Sequence, residues 1–361
     1  MKFVIFGLTI SSAWANGHAT PWRALLKGLH RLGHRALFFE RDVDYYAAHR
    51  DLPAPDFCEL ILYSDWTTVA PAAQRAIADS DVAIVTSYCP DGLAACRLVL
   101  DNPGPLHVFY DLDTPVTLAA LASDGLAVAS GAQYLTPELI PEFDLYLSFT
   151  GGPILQTLQA CWGARRTAPL YGCVDPEVHA PVADPPASLR CSLGYLGTYA
   201  ADRQPGLERL LLEPARRRPA ERFLVVGSLY PPDVRWPPNV AAHPHLDPDQ
   251  HPAFYSANRL TLSVSRQAMR EWGYTPSGRL FEAASCGTPV LTDAFPGVEE
   301  FFEPGKEILV ADETLQAEMA LDVCDSELAR IAAAARERAL AHHTGDCRAR
   351  QLVDACESAA C

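Results

Sequence analysis

The run from Gly273 to Glu282, Gly-Tyr-Thr-Pro-Ser-Gly-Arg-Leu-Phe-Glu, carries the residues best suited to chemistry. Ser277 is a good helix N-cap, so the turn it opens presents backbone N–H groups that no helical carbonyl can reach. With the positive end of the helix dipole behind them, those donors suit a diphosphate. Arg279, in the first turn, would add a bidentate, charge-assisted contact to phosphate. Glu282 lies three residues further, on the same face, and its carboxylate suits ribose hydroxyls. Gly287 closes the helix. Glu299 and Glu300 open a short helix of their own, where they serve either its dipole or the same ligand. The plain alternative for Arg279 and Glu282 is an exposed ion pair on a helix surface.

Two other stretches invite a role. Residues 9–20 form a polar loop between a first strand and its helix, with Asn16-Gly17 suited to a tight turn and His18 just before the helix. His18 is a candidate general base for a hydroxyl acceptor, or a locally bonded histidine. Asp111 and Asp113 follow another strand, where carboxylates either bind sugar hydroxyls or a metal, or cap the next helix.

The elements that must position these groups alternate strand and helix. In the first half strands are expected at 2–8, 36–39, 59–63, 82–86, 106–110 and 145–149. Helices are expected at 20–32, 71–79, 91–100, 116–123 and 153–162, with Thr20 as N-cap and Pro21 at the first helical position. After a proline-rich stretch the alternation restarts. Strands fall at 193–196, 222–226, 260–264, 289–292 and 307–310, and helices at 206–212, 248–256, 277–286 and 298–302. The chain from 313 to 358 is helical. Strictly alternating elements imply βαβ units and parallel sheets. The expected organisation is a first domain over 1–175, a linker over 176–190 and a second domain with a helical tail over 191–361. In this α/β class, two Rossmann-like domains would face each other across a cleft at the carboxyl ends of their strands.

Composition narrows the partners. A chain of 361 residues is long enough for two cores. Its formal net charge of −15 repels polyanions, which argues against nucleic acid held by bulk charge. The eleven cysteines include no Cys-x-x-Cys pair, so they read as small buried hydrophobes in a reducing compartment and no metal site is expected. The apolar run near the start is short and interrupted by Gly7, and no stretch could span a bilayer, so a cytoplasmic protein without a transmembrane segment is expected.

The run 277–310, including Phe295-Pro296-Gly297-Val298-Glu299-Glu300 and Pro304-Gly305-Lys306-Glu307, resembles the donor-binding half of GT-B glycosyltransferases, the branch related to the spore-maturation protein CgeB in particular. Tyr195-Leu196-Gly197-Thr198-Tyr199 resembles the glycine-containing loop after the first donor-domain strand. The stretch 171–181 resembles the segment that closes the acceptor domain. The resemblance implies that Glu282 holds the nucleotide ribose, that Arg279 faces the phosphates, and that Gly197 and Thr198 line the donor site with Ser277, Glu299 and Glu300. It also implies that Asn16, Gly17 and His18 line the acceptor side. Retention of anomeric configuration and work without a divalent metal follow from the same likeness. One position departs from it: Tyr274 stands where retaining relatives carry a first glutamate, and Glu271 is three residues too early.

The sequence therefore points to transfer of a sugar from a UDP-, GDP- or dTDP-linked donor to an unidentified hydroxyl acceptor, with no permanently bound cofactor. A GT-B epimerase or phosphorylase, or a catalytically silent nucleotide- or sugar-binding protein, remains open beside it. A dinucleotide oxidoreductase is disfavoured, since neither first strand is followed by G-x-G-x-x-G.

Overall fold

The computed structural model describes residues 1–14, 16–129 and 132–360. It divides into two compact units, 1–173 with 345–361 and 174–344.

The first unit opens with β1 (Lys2–Gly7), whose residues from Phe3 onward are buried, as expected of a strand covered on both faces. It continues through α1 (Ala19–Arg31), β2 (Arg35–Arg41), α2 (Asp44–Ala47), β3 (Glu59–Tyr63), α3 (Trp66–Ala78), β4 (Val82–Thr86), α4 (Gly92–Leu100), β5 (Leu106–Asp111) and α5 (Thr114–Asp124). A small antiparallel pair, β6 (Ala127–Ala129) and β7 (Ala132–Leu135), precedes β8 (Leu145–Ser148), α6 (Pro153–Trp162) and β9 (Thr167–Pro169). The main sheet is parallel with order β3-β2-β1-β4-β5-β8-β9, so strand order reverses between β1 and β4. Ligands of such sheets bind at that point, beyond the carboxyl ends of the strands. α1 buries Trp22, Leu25, Leu26 and Leu29, the i, i+3, i+4, i+7 stripe of an amphipathic helix. Its N-cap is His18 rather than Thr20. The Asn16 side chain accepts the His18 N–H at 3.0 Å and turns the chain into the helix earlier than Pro21 suggested.

The second unit repeats the plan. β10 (Leu193–Leu196) leads to α7 (Gln204–Leu207) and α8 (Glu213–Arg217), which are joined by a π turn over 208–212. The single helix expected at 206–212 is thus widened, because Pro214 has no N–H to return to the preceding turn. Next come β11 (Phe223–Val226), β12 (Val240–His243), α9 (His251–Ala257), β13 (Thr261–Ser263), α10 (Gln267–Trp272), α11 (Gly278–Ser285), β14 (Val290–Thr292), β15 (Leu309–Val310), α12 (Thr314–Asp322) and α13 (Asp325–His342). The parallel order is β12-β11-β10-β13-β14-β15, reversing between β10 and β13. The expected helix at 298–302 is one 3-10 turn.

Two residue ranges differ from the expectation. The tail was placed with the second domain, but its last helix, α14 (Gly345–Ala360), packs on α1. There Ala349, Leu352 and Cys356 join the first core. The two helices meet at glycines: a Cβ on Gly28 would lie 2.5 Å from the Gly345 oxygen. An amphipathic stripe announces that a helix is covered, not by which sheet. The stretch 176–190 is not a free linker either. It belongs to the second unit, where Val182 donates to Ser256 Oγ at 3.0 Å and the His179 oxygen accepts from Ser285 at 2.6 Å. No described helix is long and apolar enough to cross a membrane.

Candidate functional site

In the second unit the candidate residues gather at the carboxyl end of β10. Ser277 stands at the N-cap of α11, yet its side chain does not cap the helix. Ser277 Oγ instead accepts from Arg279 Nη1 at 3.1 Å. Arg279 Nε donates to the Leu196 oxygen, and the guanidinium lies over the Tyr195 ring at 5.4 Å. Burial works against the charge on Arg279, but the Tyr195 and Tyr255 phenols and the Glu282 carboxylate outweigh it and hold the guanidinium above its ordinary pKa. Among the described residues Arg279 Nη2 and the N–H groups of Gly278 and Arg279 have no protein partner. These are donors, one of them charged, of the kind an anion takes.

Gly197 is what leaves Nη2 open, since a Cβ there would come within 2.5 Å of it. The Gly197 N–H bonds the Val226 oxygen at 2.8 Å, and its oxygen accepts from Tyr230 at 3.2 Å. Thr198 follows, its oxygen accepting from Arg203 at 3.3 Å.

Glu282 does not pair with Arg279. Its Oε2 accepts from Tyr255 on α9 at 2.8 Å, so the surface ion-pair alternative is not what forms. Tyr274 adopts a left-handed φ of 49° and lays its ring against Gly297, where a Cβ would come 2.3 Å from Cδ1. It offers a ring where the resemblance called for a carboxylate. Glu299 and Glu300 lie exposed on the turn just after Gly297.

A pocket of about 400 Å³ opens where the order of this sheet reverses, walled by Gly206 and Arg209 after β10, Ser265 and Glu271 after β13, and Asp293 after β14. Asp293 is buried and accepts from the Ser265 N–H at 3.0 Å, and burial raises its pKa. The sequence reading passed over Asp293, although it directly follows a buried strand. Tyr255 was missed as well, because only tertiary packing brings α9 to Glu282.

In the first unit, the loop after β1 and the ends of β4 and β5 converge where that sheet reverses. His18 Nε2 lies 3.9 Å from Asp113 Oδ2, an electrostatic contact beyond hydrogen-bond length. Tyr88, at a left-handed φ of 67°, donates to the same oxygen at 2.5 Å, and its ring lies 4.9 Å from the imidazole. Burial lowers the His18 pKa, and Asp113 raises it only in part, so the ring is a neutral acceptor near pH 7. His18 Nδ1 is buried with no hydrogen-bond partner among the described residues.

Asp111 lies behind this pair and does not face solvent. It accepts from Tyr146 at 2.7 Å, from Thr117 at 2.9 Å and from the Asp113 N–H at 3.2 Å. Burial raises its pKa to about 6. It helps position Asp113 and, unlike Asp113, presents no surface to solvent in this structure.

Asn16 is likewise structural, its amide donating to the Thr9 and Ser12 oxygens at 3.3 Å, while Gly17 is exposed. The residue that fixes this loop is Glu40, wholly buried at the end of β2 and absent from the sequence-derived candidates. It accepts from Thr9 at 2.7 Å, from the Ile10 and Ser11 N–H groups at 2.8 and 3.0 Å, and from the Ser11 hydroxyl. A glutamate closing an apolar strand was the available signal. Among the described residues no cluster of three or more His, Cys, Asp or Glu side chains is arranged for a metal.

Against known proteins, residues 203–354 match the glycosyl transferase-like family. No curated protein matches the sequence. Among solved structures, sucrose-phosphate synthase from Thermosynechococcus elongatus superposes with a TM-score of 0.67 at 14% identity, over 98% of both chains. HepE of Anabaena, in complex with UDP and glucose, gives 0.69 at 13% over 99% of this chain and 100% of that one. An alpha-glucosyltransferase in complex with UDP and a 13-mer DNA gives 0.70 at 14% over 99% of both. The two Rossmann-like, parallel-sheet domains are thus the fold of GT-B glycosyltransferases.

Proposed function

We propose that this chain transfers a glycosyl group from a nucleotide sugar to a hydroxyl acceptor. The observation that carries the reading is the start of α11, where Arg279 Nη2 and the Gly278 and Arg279 N–H groups have no partner among the described residues, beside Gly197. The family match over 203–354 and the complexes of the structural neighbours with UDP support a nucleoside diphosphate as the group received there.

The acceptor oxygen bonds to the anomeric carbon as the bond from that carbon to the diphosphate breaks. The diphosphate leaves with the electron pair, its charge met by Arg279 and the helix start in place of a metal ion. In the first unit His18 is the base for the acceptor hydroxyl: its ring is neutral at pH 7, and Asp113, 3.9 Å away, meets the positive charge the ring gains when it takes up the proton. Glu282, oriented by Tyr255, receives the ribose hydroxyls, and Glu299 and Glu300 flank the donor. The likeness of residues 277–310 to CgeB-related, retaining donor halves favours retention, with the acceptor oxygen entering on the face from which the diphosphate departs.

A panel of UDP-, GDP- and dTDP-sugars read by thermal shift, then by release of nucleoside diphosphate, tests the proposal. Stabilisation by at least one donor with turnover supports it; no response to any donor refutes it. A second reading, a silent nucleotide-sugar-binding protein, draws on Tyr274 packing against Gly297 where a glutamate is expected. Donor binding with no turnover, even after addition of an acceptor panel, would select it.

A further inference from the structure

Four aromatic rings gather in the first unit around a helix that contributes nothing to the core. The Trp14 ring, in the loop after β1, lies 4.0 Å from that of His49. Tyr45 is 6.2 Å from His49 and 5.1 Å from Tyr46. α2 carries both tyrosines and has no buried residue, and Tyr45 is 54% exposed. Rings gathered at the surface, two of them exposed and two half-buried, beside a four-residue helix with no core to join, mark a surface that receives something.

The location is that of a ligand. α2 follows the carboxyl end of β2, and Trp14 follows that of β1. Trp14 precedes His18 by four residues, so the platform begins within ~15 Å of the imidazole along the chain. The two segments are tied together. Ser12 donates to the His49 oxygen at 2.8 Å, and Arg50 Nε donates at 3.0 Å to the Ser11 hydroxyl that is itself fixed by Glu40.

The surroundings are charged. Arg50 meets Asp42 at 2.6 Å, and Arg23 meets Asp51 through both terminal nitrogens at 2.7 Å. The two carboxylates keep exposures of 38% and 40%.

We infer that Trp14, Tyr45 and His49 form an acceptor subsite for a neutral saccharide, a reading that rests on the glycosyl transfer proposed above. A pyranose offers an apolar C–H face to an aromatic ring and vicinal hydroxyls to a carboxylate at its edge. Asp42 and Asp51 already accept from Arg50 and Arg23, and a planar apolar acceptor would cover their remaining exposed lone pairs without supplying donors to those. An anionic sugar would meet a chain of net charge −15, with the nearest arginines already matched by Asp42 and Asp51.

Saturation-transfer NMR on the full chain, with maltotriose, cellotriose, N,N′,N″-triacetylchitotriose and 4-nitrophenol as probes, tests this. At least one trisaccharide should bind, weaken about tenfold in Tyr45→Ala and recover in Tyr45→Phe. Tyr45 is exposed, so neither change threatens the fold. Failure of all three sugars to bind, indifference to Tyr45→Ala, or Tyr45-dependent binding of 4-nitrophenol alone would overturn the subsite. Nucleotide-sugar hydrolysis without acceptor, followed in the same variants, separates the two readings. Donor cleavage without saccharide binding removes only the platform. Saccharide binding without any donor response removes the transferase reading and leaves a sugar-binding surface.

Discussion

Arg279 Nη2 occupies the space in which a side chain on Gly197 would have to begin, 2.5 Å from an ideal Cβ at that glycine. The Tyr195 hydroxyl closes the other side at 2.7 Å. Gly197→Ala must therefore push the guanidinium off its seat, at little cost to the backbone just after β10, which is not in a left-handed conformation there. Donor affinity should fall at least tenfold while the melting temperature shifts by only a few degrees. Calorimetric titration with the donor identified by the panel, beside a thermal melt, measures both.

Replacing Arg279 by lysine keeps the charge and loses the fork that bonds Leu196 and Ser277 while leaving Nη2 free. Turnover should drop on the order of 100-fold, as expected for removal of a preorganised donor from a developing anion. Steady-state kinetics give the answer. A variant with unchanged kcat would take Arg279 out of the chemistry.

Protonation of His18 would remove the acceptor's base. Burial lowers the His18 pKa and Asp113 raises it in part, so the working neutral form persists below the usual histidine value. The acid limb of a kcat/KM profile should lie below about pH 6.5. Asp113→Asn removes the raising charge and should move that limb further down, with a lower plateau because the imidazolium formed on proton uptake loses its counter-charge. His18→Ala should lose on the order of 100-fold or more at every pH.

Asp111 links pH to stability. Its pKa is about 6 in the fold, where burial raises it, against about 3.9 when unfolded. Between those values the folded chain holds a proton that the unfolded chain has released, so stability falls as pH rises from about 4 to about 6. The loss attributable to Asp111 is about 3 kcal/mol. Asp111→Asn keeps acceptors for Thr117 and the Asp113 N–H and should flatten this part of the profile. Urea titrations at pH 4, 5, 6 and 7 on both proteins compare the slopes, and parallel curves would show that Asp111 does not carry it.

Much of the fold was legible because parallel sheets write themselves into sequence. β1, β4 and β11 are unbroken apolar runs, and α1 shows its buried stripe at helical spacing. β12 escaped because it hides beyond a proline-rich loop and is half exposed. The 3-10 turn at Val298 was read as a longer helix, since two glutamates after Gly297 signal a helix start but not its length.

The sequence by itself determined which residues open α11 and which loop precedes α1, since caps, glycines and apolar periodicity act over a few neighbouring residues. Tertiary structure alone decided which of those residues meet. It set Tyr255 on Glu282, Tyr88 on Asp113, Glu40 beneath the first loop and α14 against α1. Those contacts join positions 25 to more than 300 residues apart. They arise from the order of strands in a sheet, and local propensity carries no record of that order.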